Sequence, residues 1–186
     1  MWGTGYLDAV RRVFGKPPTT PSVNVLHRNP YATAELQDAC WLWHPDALGR
    51  EGKVRFRATV ELTAAVCGGA FTLSADNGLT LWINGRRIAE KGHADIDWRD
   101  LLRVEDIAAA PFATGRNVIE VEAINTAPGD AGFIGVFRMK LTNGTEIVLP
   151  TNSAAWETTP DGASWKPAHE LGTYGCSPWG NGFMEK

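Results

Sequence analysis

Asp76 and Asn77 stand side by side in the run Ser74-Ala75-Asp76-Asn77-Gly78-Leu79, and their side chains complement each other chemically. An ionised carboxylate only accepts hydrogen bonds, whereas an amide both donates and accepts. The two hydroxyls of a sugar diol each do both, so an adjacent acid and amide can clasp them. Both residues also carry oxygens of the kind Ca2+ takes, and such an ion could bridge protein to diol. A local reading competes: Asp and Asn ahead of a glycine can bond their own backbone and simply shape a turn. The pair leaves both readings open.

Three more residues extend the candidate site. Trp82 lies on the strand face opposite Leu79, Leu81 and Ile83, and Trp98 lies in a long polar stretch. Either ring could be a flat platform for a pyranose, or ordinary packing. Asn125 closes a strand ahead of the polar, glycine-rich residues 126–132. His93, Asp95 and Asp97 alternate along an extended segment, which could present them to a metal or to water. Asp76, Asp95 and Asp97 could supply the two carboxylates of a glycosidase, but nothing fixes their separation. No nucleophile elbow, phosphate loop, dinucleotide fingerprint or HExxH motif occurs, and the four histidines are isolated from one another. An enzyme, a lyase or glycosidase, is therefore the least supported of three readings. A non-catalytic binding module and a structural sandwich without ligand stand ahead of it.

The elements that must position these residues read as strands. Val54, Phe56, Ala58, Val60 and Leu62 alternate with polar residues, giving one buried and one wet face. Strands are expected over residues 69–75, 79–83, 86–89, 117–125, 133–141 and 146–149. Asn84-Gly85 and Asn143-Gly144 mark tight hairpins. Phe137, Met139 and Leu141 should share a buried face. Residues 92–116 read as the longest irregular piece. Strands of this length with frequent turn signals and almost no helix predict an all-β, two-sheet antiparallel sandwich or a barrel.

The chain has 186 residues, 44% of them hydrophobic and 21% charged, which suits one globular domain. Residues 1–22 read as a helical arm with a stripe of Leu7, Val10, Val13 and Phe14, followed by a proline-rich linker. Residues 23–180 form the sandwich and 181–186 a tail. The formal net charge of −3 and the absence of any basic run argue against nucleic acid as partner. They suit an uncharged one. No apolar run approaches the roughly 20 residues that span a bilayer. Asp8, Arg11 and Arg12 stand where a leader's apolar core would be, so on this reading either the protein is cytosolic or the sequence starts after a removed leader or within a longer chain. Cys40, Cys67 and Cys176 are too few for a disulfide framework and are expected to be buried small residues. A Cys40–Cys176 bridge would need the two ends of the fold to lie side by side.

Two strings, SADNGLTLWINGRRI and TGRNVIEVEAINTAPGDAGFIGVF, together with the opening segment Cys40-Trp41-Leu42-Trp43-His44-Pro45-Asp46, resemble the galactose-binding-like jelly-roll family. The likeness, over roughly residues 40–142, is greatest to the sugar-binding modules of bacterial α-L-rhamnosidases and related polysaccharide-degrading enzymes. It implies a jelly-roll sandwich that binds carbohydrate at loops on one rim or face. It also implies an extracellular or periplasmic setting, tethered to other domains. Asp76 and Asn77 match the pair that contacts sugar through calcium in rhamnose-binding members, and Asn125 matches a strand-end amide. The segment from Asp161 to Gly180 lies outside the shared pattern and is expected to supply a last strand beside the first motif, with Cys176 near Cys40.

Overall fold

The computed structural model describes residues 19–27, 32–92 and 98–180. The expected helical arm, the His93, Asp95 and Asp97 set and the tail at 181–186 lie outside those residues.

The alternating pattern of residues 52–62 becomes β3 (Gly52–Leu62), whose odd-phase residues Val54, Phe56 and Ala58 are buried while Arg55 and Thr59 stay wet. It pairs along its whole length with β8 (Gly115–Asn125). β8 also pairs with β5 (Gly78–Ile83), which turns through Asn84 and Gly85 into β6 (Arg86–Lys91). Both turn residues have positive φ, 49° and 75°, which an asparagine and a glycine adopt most readily. β11 (Glu157–Thr159) and β12 (Lys166–Pro167) complete this six-stranded sheet, in the order β12-β11-β3-β8-β5-β6.

The second sheet runs β1 (Ser22–His27), β7 (Asp100–Glu105), β4 (Val66–Asp76), β9 (Gly132–Leu141), β2 (Cys40–Trp43) and β13 (His169–Thr173), with β10 (Glu146–Pro150) also on β9. A short helix, α1 (Ala32–Leu36), precedes β2. The fold is thus the all-β two-sheet sandwich that the alternation predicts.

Two clusters bury the apolar residues. The larger lies between the sheets and includes Phe56, Phe71, Leu81, Val121, Phe133, Phe137, Met139 and Leu141. The smaller covers the outer face of the second sheet, where Leu36, Trp41, Leu101, Ile134, Val136 and Trp179 meet. β9 is therefore buried on both faces at its N-terminal half.

Two expectations need correction. Residues 92–116 are not irregular throughout, because β7 is a sheet strand between β1 and β4. Leu101 faces one cluster and Leu102 and Val104 the other, so β7 lacks the one-sided alternation that marks a half-exposed strand. Cys67 is exposed, and Cys40 and Cys176 are half-buried. β13 does pair with β2, placing Thr173 opposite Cys40, yet both nearby thiols are free.

Candidate sugar-binding rim

Asp76 and Asn77 do not form a hairpin turn. Asp76 ends β4 opposite Gly132 in one sheet, and Gly78 opens β5 opposite Ile124 in the other. The pair is a corner at which the chain crosses between sheets. A second crossing, residues 126–131, runs alongside it from β8 to β9.

Asn77 fastens the two crossings together. Its backbone N–H donates to the Ile124 carbonyl at 2.6 Å. Its Oδ1 accepts from the Thr126 N–H at 3.0 Å and the Thr126 hydroxyl at 2.8 Å. These two donors fix the amide's orientation, so Nδ2 faces Asp76 and donates to Oδ1 at 3.0 Å. Acid and amide therefore lie side by side, joined by a cis peptide bond. Asp76 Oδ2 accepts from the indole N–H of Trp179 at 3.1 Å. Both residues of the pair are half-buried. A carboxylate oxygen can accept more than one hydrogen bond, and an amide nitrogen carries two hydrogens.

Trp179 stacks on Trp41 with ring centroids 4.1 Å apart, and Trp98 meets Trp41 edge-on at 6.3 Å. Gly132 makes this possible. A Cβ there would lie 2.7 Å from Trp41 and 2.8 Å from Trp179. On its other side Trp179 borders an open cleft of about 450 Å³ whose walls include Leu48, Asp130, Leu171 and Pro178.

Beneath the corner lies Lys91, only 1% exposed. Its ammonium donates to Ser74 Oγ at 3.0 Å, the Ala75 carbonyl at 3.0 Å and the Asp100 carbonyl at 3.2 Å. A buried charge is tolerated when its hydrogen bonds are satisfied, and here those bonds tie β6, β4 and the start of β7 into one support.

The sequence-selected residues separate. Trp98 comes to the rim: its carbonyl accepts from Ser74 Oγ at 2.6 Å, and the Arg99 guanidinium lies over its ring. Asn125 is buried, its Nδ2 donating to the Arg50 carbonyl at 3.0 Å, next to Thr126 but facing inward. Trp82 is not at this rim. It stands on the outer face of the six-stranded sheet, opposite Glu120. Trp179 and Lys91 were missed. Lys91 is in phase with buried Ala89 along β6, so the period-two rule could have flagged it. Trp179 sits in a turn, Ser177-Pro178-Trp179-Gly180, with no periodic signal.

No protein-family model matches the chain. In sequence it is 26% identical over 163 residues to the α-L-rhamnosidase of Streptomyces avermitilis, an alignment covering 78% of this chain and 15% of that enzyme. The crystal structure of that enzyme complexed with L-rhamnose matches with a TM-score of 0.69 and 23% identity, over 87% of this chain and 17% of the other. The lectin from Pleurotus ostreatus in complex with GalNAc matches with a TM-score of 0.67 and 22% identity, over 80% of this chain and 46% of the lectin. The chain thus spans a small part of the rhamnosidase's length. The resemblance seen in the motifs holds at both levels: this chain is similar to a segment of an α-L-rhamnosidase and shares its β-sandwich with a lectin.

Proposed function

We propose that this chain is a non-catalytic carbohydrate-binding module that grips a sugar diol at the Asp76–Asn77 corner, within an extracellular protein acting on polysaccharide. The observation that carries this reading is the side-by-side, half-buried acid and amide, held rigidly by Thr126 and Trp179 at a rim with an adjoining cleft. The Asp76 carboxylate accepts from hydroxyl groups and Asn77 Nδ2 donates to their oxygens. Because Asn77 Oδ1 is already committed, the amide cannot turn, and the donor–acceptor order along the corner is fixed. That order selects which pair of neighbouring hydroxyls fits.

In a calcium-assisted form of this reading Asp76 supplies one hard charged oxygen ligand of the kind that ion prefers, while no group of three or more His, Cys, Asp or Glu side chains that could hold a metal occurs among the described residues. Calcium held by Asp76 would supply a Lewis-acidic centre for sugar hydroxyls, with Asn77 contributing its N–H alongside. The likeness to a rhamnosidase segment and to a lectin supports a sugar-related role.

A charge-assisted hydrogen bond contributes about 1.5–3 kcal/mol net and a neutral one about 0.5–1.5 kcal/mol. A few of these, less the cost of association, give a dissociation constant on the order of micromolar to millimolar. Calorimetric titration with L-rhamnose, GalNAc and galactose, with and without EDTA, tests the reading. Asp76→Ala should weaken binding at least about tenfold, as expected for loss of a charged contact. Loss of binding in EDTA identifies the calcium-bridged form, and unchanged binding the direct one. Silence of the wild type toward every sugar, or full affinity in Asp76→Ala, refutes the site.

A second reading rests on the same bonds. Asn77 and Trp179 also clamp the rim, so the corner serves a purely structural sandwich equally well if no sugar binds.

A further inference from the structure

The outer face of the six-stranded sheet carries a row of side chains set by the register. Glu157 lies opposite Arg57, Arg57 opposite Glu120, Glu120 opposite Trp82, and Trp82 opposite Arg87. The next row on that face places Arg55 opposite Glu122 and Glu122 opposite Thr80. Between the rows is a shallow pocket of about 220 Å³, lined by Arg55, Trp82, Gly85, Glu120, Val121 and Glu122.

Most charges of this face are already matched. Lys53 and Arg55 both pair with Glu122, at 2.9 and 3.3 Å, and Arg57 pairs with Glu157 at 2.8 Å while lying 4.0 Å over the ring of Trp165. These contacts hold the polar groups in place. Arg55 and Arg57 engage their carboxylates through Nε, which leaves Nη donors for other partners. Glu120 is half-buried beside Trp82 and has no hydrogen bond or ion pair among the described residues.

We propose that this face is a second carbohydrate site, distinct from the Asp76 rim, that takes a linear, uncharged oligosaccharide with one ring stacked on Trp82. The occupant follows from the chemistry. Balanced charge disfavours a polyanion or polycation. A protein partner would need an apolar centre, but the exposed large hydrophobic residues among those described are Val23, Leu48 and Val148, none of them on this sheet. What remains is a flat aromatic ring flanked by an unpartnered carboxylate acceptor and fixed guanidinium donors. That combination covers the apolar face and the equatorial hydroxyls of a sugar ring. Neighbouring strands are about 4.8 Å apart, so Trp82 on β5 and Arg57 on β3 are separated by roughly 10 Å across β8. The row therefore engages successive rings of a chain, and monosaccharides should bind it poorly.

The test titrates neutral linear hexasaccharides of β-1,4-glucan, xylan and mannan type, and their monosaccharides, into wild type, Asp76→Ala, Trp82→Ala and Glu120→Gln. The expected result is hexasaccharide binding that persists in Asp76→Ala and falls about tenfold or more in both Trp82→Ala and Glu120→Gln. Glu120→Gln keeps size and shape, so its loss cannot be blamed on unfolding. Hexasaccharide binding abolished by Asp76→Ala alone would assign all binding to the rim and overturn the second site. So would unchanged affinity in the two sheet variants, absence of binding to every hexasaccharide, or a wild-type dimer that Trp82→Ala dissociates.

Discussion

At the scale of single residues, Gly132 shows how tightly the rim is built. Any side chain there must displace Trp41 or Trp179. Overpacking of this kind costs about 1–3 kcal/mol, so Gly132→Ala should lower the urea midpoint by an amount corresponding to that range. Because Trp179 donates to Asp76 Oδ2, the same variant should also weaken the sugar binding proposed for the corner. A Gly132→Ala protein with wild-type stability would show that the two rings can slide apart. The candidate pair itself was legible in the sequence, since an acid and an amide before a glycine are conspicuous. The bonds that orient it were not. Thr126 is 49 residues away along the chain, and Trp179 belongs to a segment with no periodic pattern to place it.

Among the elements, legibility followed one-sidedness. β3 and β8 were readable because polar and apolar residues alternate along them, and β9 because Arg138 and Lys140 alternate with Phe137, Met139 and Leu141 in its C-terminal half. β7 escaped because both its faces are covered, and a short strand buried on both sides offers no alternation to read. The β5–β6 hairpin was legible from Asn84-Gly85, but the second task of Asn84 was not. Its Nδ2 donates to Pro111 O at 2.8 Å and to Asn117 Oδ1 at 2.9 Å, while its Oδ1 accepts from the Val118 N–H at 2.9 Å. Asn117, fully buried, bonds in turn to the Ala113 and Gly115 carbonyls and the Ala113 N–H. This two-asparagine node pins the hairpin to the loop that leads into β8. Asn117→Ala removes four hydrogen bonds made in a part-buried setting, each contributing about 0.5–1.5 kcal/mol net. The expected result is a loss of at least that much stability by chemical denaturation, with the larger loss if the loop cannot recruit water.

For the whole molecule, the pH dependence of stability is set in part by His44. Its Nδ1 accepts from the Asp46 N–H at 3.1 Å, which leaves the proton on Nε2, and Nε2 is buried without a partner among the described residues. Burial lowers its pKa below the ordinary value of 6.5. Below about 6.5 the unfolded chain takes up a proton that the folded one refuses. Stability therefore falls as pH drops through that value, and this contribution stops falling once the folded histidine titrates. The melting temperature should decline from pH 7.5 to 5.5, and His44→Gln should flatten that decline; an identical slope in the variant would exclude His44 as the source. One consequence of the topology concerns how such a chain is made. The last strand, β13, seals the edge of β2, and Tyr174 N donates to the Ala39 carbonyl at 2.9 Å. Pairings that distant close slowly because most of the chain must be in hand before they form. On a ribosome, β2 would wait with one edge bare until residues near 174 clear the exit tunnel, a stretch of unpaired backbone open to other chains in that interval.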